Sequence, residues 1–170
     1  MRSRGTALAL VLVVAAVVAQ TTVFGADGVR PFGSAPNLVL LLVVVCARWL
    51  DPEPALFLGF TAGLLVDLLG SAPLGIWAMC LTVVAYLTLR VREHVADGPF
   101  VVAVGILGLT LVGQLLFVVL GTLFGLQTIS DPQLPRKLVL PALYNVALAA
   151  PAFWLGAKVL RPHQRTWVGT

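Results

Sequence analysis

A chain of 170 residues that is 59% hydrophobic and 11% charged, with a mean hydropathy of +1.01, lies far from soluble domains, which run to roughly 45–50% apolar and about 25% charged. The composition excludes a soluble enzyme and predicts an all-α integral membrane protein of one domain, 1–170, with no room for a catalytic domain beside its spans. The net charge of +4 is small and gathers on one side of the predicted bundle, so it reports topology rather than nucleic-acid binding.

Arg2 and Arg4 precede an apolar run over 5–24, about 20 residues, which is enough to cross a hydrocarbon core of roughly 30 Å as helix 1. A cleaved signal peptide is the rival reading, but its apolar region usually spans about 7–15 residues, and this chain continues into further spans. Residues 25–36, with Asp27, Arg30 and several Gly and Pro, read as a loop. Helix 2 is predicted over 36–50 and is short for a span, at roughly 22 Å. Asp51 then offers an N-cap, Pro52 suits the first helical position, and Glu53 meets the positive end of the dipole, so a tight hairpin leads into helix 3 over 52–70. Ser71, Ala72 and Pro73 repeat the device and start helix 4, 73–90. The run from Arg90 to His94, with Asp97, Gly98 and Pro99, forms a polar connection to helix 5, 99–125. Its glycines 105, 108, 113, 121 and 125 let other backbones approach and predict a central position. A polar loop leads to helix 6, 136–160, and a short basic tail closes the chain.

Six crossings place both termini on one side. With them lie Arg2, Arg4, Arg48, Arg90, Arg92, Lys158, Arg161 and Arg165, against Arg30, Arg136 and Lys137 opposite, so both termini are expected in the cytoplasm. Trp49, Trp77 and Trp154 fall near run ends as interfacial anchors do, and Trp77 also suits the bundle interior.

The stretch 59–75, GFTAGLLVDLLGSAPLG, sets a carboxylate inside an apolar run. Gly59, Gly63 and Asp67 recur every four residues on one helical face, and that face suits a neighbouring helix. An intramembrane acid is by default a functional candidate. Asp67, however, lies about one turn before the end of helix 3, where the dipole disfavours an anion, and the free N–H groups at the start of helix 4 are within reach. A structural clasp between helices 3 and 4 is the favoured reading. A partner contact and ion or substrate binding remain the alternatives. Asp67→Asn retains most function under the clasp reading and loses it if charge is required.

Gln20, Gln114 and Asn145 are amides within or near the ends of spans and read as bonds between helices, with Tyr144 beside Asn145 as an interhelical or interfacial donor. His94 reads as a solvated loop histidine, and His163 has no partner in sequence. Cys46 and Cys80 sit at different depths and are not expected to pair. No nucleophile elbow, phosphate-binding glycine loop, histidine pair or carboxylate dyad appears, so no catalytic, cofactor-binding or metal-binding residue is assigned.

Gln20-Thr21, then Ala35-Pro36-Asn37-Leu38-Val39-Leu40, the stretch 59–75 with Gly59, Gly63, Asp67, Pro73 and Gly75, and Leu140-Pro141-Ala142-Leu143-Tyr144-Asn145 together resemble MreD, a family of small polytopic membrane proteins of the bacterial rod-shape system. One departure is Asn37, where an acid is expected in many relatives, which would alter a partner contact made through it. The resemblance implies a non-enzymatic component of the peptidoglycan elongation complex in the cell membrane. It would work with MreC, and through it with MreB and the glycosyltransferase and transpeptidase pair, with self-association open. The family is also similar in size and helix number to the substrate-binding subunits of energy-coupling vitamin transporters, which supplies the alternative function.

Overall fold

The structure, a computed structural model, describes residues 2–24, 33–70, 72–94, 98–129 and 131–160. Residues 25–32 of the loop predicted over 25–36, together with Ser71, Asp97, His163 and the basic tail from 161, lie outside these described residues. The described residues form six α-helices and no strand: α1 Arg2–Thr22, α2 Leu38–Trp49, α3 Pro52–Leu69, α4 Ile76–His94, α5 Pro99–Leu123 and α6 Leu134–Leu160. Four of them, α1, α3, α5 and α6, contain stretches long and apolar enough to cross a membrane.

The shortest helix is the centre of the bundle. α2 has 12 residues, about 18 Å at 1.5 Å per residue, and it packs against all five other helices. Val39, Leu40, Leu41, Val43, Val44 and Val45 are buried around it. The expectation of a central α5 is corrected. α5 packs on α2, α4 and α6, but Phe100, Val104, Val112, Leu115 and Val119 face outward. Of its glycines, Gly113 seats Leu40 and Val84, whereas Gly105 and Gly108 meet nothing within 4 Å. Composition cannot separate these cases, because a glycine that admits a neighbour and one that faces the bilayer look alike in sequence.

Both boundaries of α4 differ from the sequence reading. α4 begins at Ile76 rather than Pro73, because Gly75 holds φ +99° and breaks the helical run. At its other end α4 continues to His94, so the predicted connection from Arg90 is helical. There Arg90 Nε donates to Tyr86 Oη one turn back at 3.0 Å, and Arg92 reaches α2. Asp51 occupies the N-cap of α3 without a side-chain cap bond, and Pro52 fixes the first turn. α5 ends in a Schellman motif: Leu126 N–H donates to Gly121 C=O at 2.8 Å and Gly125 N–H to Thr122 C=O at 3.1 Å, with Gly125 at φ +86°.

The tryptophans divide. Trp77 stacks on Phe117 of α5 at 4.5 Å between ring centroids and belongs to the interior. Trp154 is 65% exposed, with Lys158 Nζ 4.9 Å from its ring centroid. Outside the spans, Asp131 N–H-caps the approach to α6 by accepting from Gln133 N–H at 2.9 Å and pairing with Lys137. These bonds, the lysine's first, hold its carboxyl below the ordinary aspartate range.

Candidate functional site

Among the described residues, polar side chains inside the bundle gather at three places, each at a helix end. A helix leaves four N–H groups and four C=O groups without intrahelical partners, and in lipid no water reaches them. α2, with 12 residues, is shorter than a hydrocarbon core of roughly 30 Å and is packed on all sides by other helices. Its backbone ends must therefore be satisfied by the protein.

The first place is the α3–α4 turn. Asp67 is 4% exposed and sits in the last turn of α3. Its Oδ2 accepts from Gly75 N–H at 2.9 Å and from Ala78 N–H at 3.1 Å, and its Oδ1 accepts from Trp77 N–H at 3.1 Å. The positive end of the α4 dipole adds to these bonds and outweighs the negative end of α3. Gly63 and Gly59 lie one and two turns earlier on the same face. A Cβ on Gly59 would come 2.7 Å from Leu81 O, and one on Gly63 would overlap the backbone of Trp77 and Ala78. Pro73 stands in the turn itself.

The second place is the start of α2. Gly33 lies against the Arg136 guanidinium near the start of α6, and residues 34–37 run non-helically along α6 with Ser34 and Pro36 buried. Such backbone is tolerated at membrane depth only inside protein. Gln20 Nε2 donates to Pro36 C=O at 2.9 Å, while Gln20 Oε1 accepts from Leu38 N–H at 2.8 Å. Asn145 Oδ1 accepts from Asn37 N–H at 3.2 Å, and its Nδ2 donates to Asn37 C=O at 3.1 Å and to Thr110 Oγ1 at 3.2 Å. Asn37 Oδ1 caps Leu40 N–H at 3.1 Å. Four helices are thus tied to one short extended segment. Tyr144 is half-buried and is rotated by about 100° from Asn145 around α6.

The third place is the end of α2. Arg92 Nη1 donates to the carbonyls of Ala47 at 2.9 Å, Arg48 at 3.2 Å and Leu50 at 2.6 Å. A cation is favoured there by the negative end of the dipole. Sequence reading missed this residue and Thr110. Thr110 carries a signal, as a lone hydroxyl inside an apolar run. Arg92 carries none, since nothing local tells that it reaches more than 40 residues back.

Every bond just described is spent within the fold, so these side chains align helix ends. Removing Asn145 tests this. Asn145→Leu is expected to cost about 2 kcal/mol, because a buried N–H and C=O of Asn37 and the Thr110 hydroxyl lose a partner, whereas Thr110→Val costs about 0.6 kcal/mol. Thermal unfolding of both variants in detergent checks the ordering, and equal losses would refute the node.

The remaining polar side chains are dispersed. Gln114 Nε2 donates to Leu138 C=O at 3.3 Å and joins α5 to α6. Cys46 and Cys80 are free and buried. Among the described residues no three His, Cys, Asp or Glu side chains come together.

Comparison with known proteins adds one finding. The family model described as rod shape-determining protein MreD matches residues 1–159, nearly the whole chain. No curated protein and no solved structure matches it. The match takes in all three polar places together with the four apolar spans. The chain belongs to the MreD family and is a multi-pass membrane component of rod-shape determination.

Proposed function

We propose that this protein is a non-enzymatic scaffold of the peptidoglycan elongation complex, that it binds MreC, and that through MreC it connects MreB to the glycosyltransferase and transpeptidase pair. The observation that carries the reading is the internal use of the buried polar groups. Asp67 takes three N–H donors and Asn145 two helices, which leaves the outer helix faces for partners. In lipid such faces associate by close packing and interhelical bonds. In the same reading all six helices cross the membrane and both termini are cytoplasmic, with the arginines at the ends of α2 and α4 on that side.

Co-purification from detergent tests the proposal. The tagged protein is expected to retain MreC, and to lose it when residues on the outer faces are replaced but not when a reporter is fused to the cytoplasmic C-terminus. Recovery instead with a bound small molecule and an ATPase partner would replace the scaffold by a vitamin-transporter subunit. A C-terminal reporter active only outside the cell would overturn the six-span topology.

A further inference from the structure

The α3–α4 turn differs from the α5–α6 connection in what it shows to its surroundings. Asp131 and Lys137 pair beside the α5–α6 connection, and Gln127 is exposed within it. From Pro54 to Leu89, by contrast, the sequence holds a single charged residue, Asp67, and its side chain is buried. We infer that the α3–α4 turn ends inside the hydrocarbon of the bilayer, a few ångströms short of the water, and that the acyl chains of the leaflet on that side cover it.

Three observations carry this. The first is length. Glu53 and Arg90, both exposed, mark the end of the bundle at which α3 enters the membrane and α4 leaves it. From Glu53 to the last residue of α3, Leu69, is about 24 Å, and from Arg90 back to the first residue of α4, Ile76, is about 21 Å. Asp67 accepts from Gly75 N–H, so the turn folds back onto α3 and adds little height. Between Lys137 and Lys158 of α6 the same measure gives about 32 Å. A hydrocarbon core of roughly 30 Å is therefore filled by α6 and not by the α3–α4 hairpin, and tilt shortens the hairpin's reach further.

The second is where the backbone donors go. Gly75, Trp77 and Ala78 donate to Asp67, Ile76 donates to Pro73 C=O at 3.5 Å, and Met79 donates to Gly75 C=O at 3.0 Å. Every N–H from Gly75 to Met79 thus has an acceptor inside the protein, which is the condition for starting a helix where water is absent. The third is the surface of the tip. Leu68, Leu69 and Leu74 are 62%, 60% and 66% exposed, and they continue the outward stripe of Phe57 and Phe60. The lipid-facing side of α3 therefore runs unbroken over the end of the hairpin. Acyl chains meet such a surface without loss, whereas water would have to cover three large apolar side chains.

The leaflet on that side closes over the hairpin while α6 spans its full depth in the same bundle. The result is a step in hydrophobic height around one small protein, and the thickness of the lipid cover follows acyl-chain length.

Spin labels test this. The full-length protein carrying Leu74→Cys or, as the water-facing reference, Gln127→Cys is labelled with a thiol-specific nitroxide and reconstituted alone in dioleoyl phosphatidylglycerol vesicles. The wild-type protein, whose Cys46 and Cys80 are buried, is the labelling blank. Collision with oxygen, which concentrates in hydrocarbon, is compared with collision with a water-soluble nickel chelate. At Leu74 the nickel collision is expected to be about fivefold lower than at Gln127 and the oxygen collision higher. In dimyristoleoyl vesicles, whose core is thinner, the nickel collision at Leu74 is expected to rise about threefold while that at Gln127 stays constant. Nickel collision at Leu74 equal to that at Gln127 in dioleoyl vesicles overturns the inference, since the turn then stands in water. Low collision with both reagents overturns it as well, because a second copy of the chain then covers the turn in place of lipid. A Leu74 signal indifferent to acyl-chain length overturns it too. Should Leu74→Cys not fold, a label at Leu69→Cys, on the α3 side of the turn, decides by the same criteria.

Discussion

Gly63→Ala is expected to cost about 3 kcal/mol, the upper end for overpacking, and to leave little folded protein in the membrane. The reason is what the added methyl would meet. At Gly63 it overlaps the backbone of Trp77 and Ala78, and backbone in a helix cannot swing aside as a side-chain tip can. α3 and α4 would have to separate, which pulls Asp67 away from the donors it accepts from two turns further on. Gly59→Ala is milder, since its closest contact is Leu81 O at 2.7 Å and its next is the Ala85 methyl at 3.0 Å. Gly105→Ala should be neutral, with nothing within 4 Å. The order Gly63, Gly59, Gly105 is measured by thermal unfolding in detergent and by the cell shape that each variant restores. A Gly63→Ala protein with wild-type Tm would show that the hairpin does not depend on this close approach.

The face on which these glycines lie was legible because four-residue spacing is a helical property that survives in sequence. Helix number was legible as well, from the length of the apolar runs and the Pro and Gly between them. Depth was not. Helix 2 reads as a short span at the edge of adequacy, and only its packing reveals that it is short because it is central, entered through buried non-helical backbone. The amides that make this possible, Gln20 and Asn145, could be picked out as polar residues in apolar runs. Their targets could not, since they are the backbone groups of residues 36–38, far away in the chain. Arg92 was counted among the topogenic charges for the same reason: a cation at a helix end has one local meaning and a different tertiary one. Pro73 marked the break correctly in kind but not in place, because the conformation of Gly75 delays α4 by three residues.

Asp67→Ala is the second large loss, about 3–5 kcal/mol from three buried N–H groups left without an acceptor, each worth roughly 1–3 kcal/mol before relaxation. The uncompensated positive end of α4 adds to this. Asp67→Asn is the informative companion. Oδ2 accepts two of the three donors, from Gly75 and Ala78, so an amide oxygen placed there keeps both bonds. The amide nitrogen then faces Trp77 N–H, donor against donor, and that bond is lost, at about 1–2 kcal/mol. A clasp therefore predicts a graded series in both Tm and shape complementation, with wild type above Asn and Asn above Ala. A demand for charge itself predicts something different: Asn and Ala equally inactive although Asn is the better folded. Measuring accumulation, Tm and cell shape on the same three proteins separates the two, because only the clasp ties function to stability along the series. Equal inactivity with unequal stability would move Asp67 from the fold to the partner interface or to an ion.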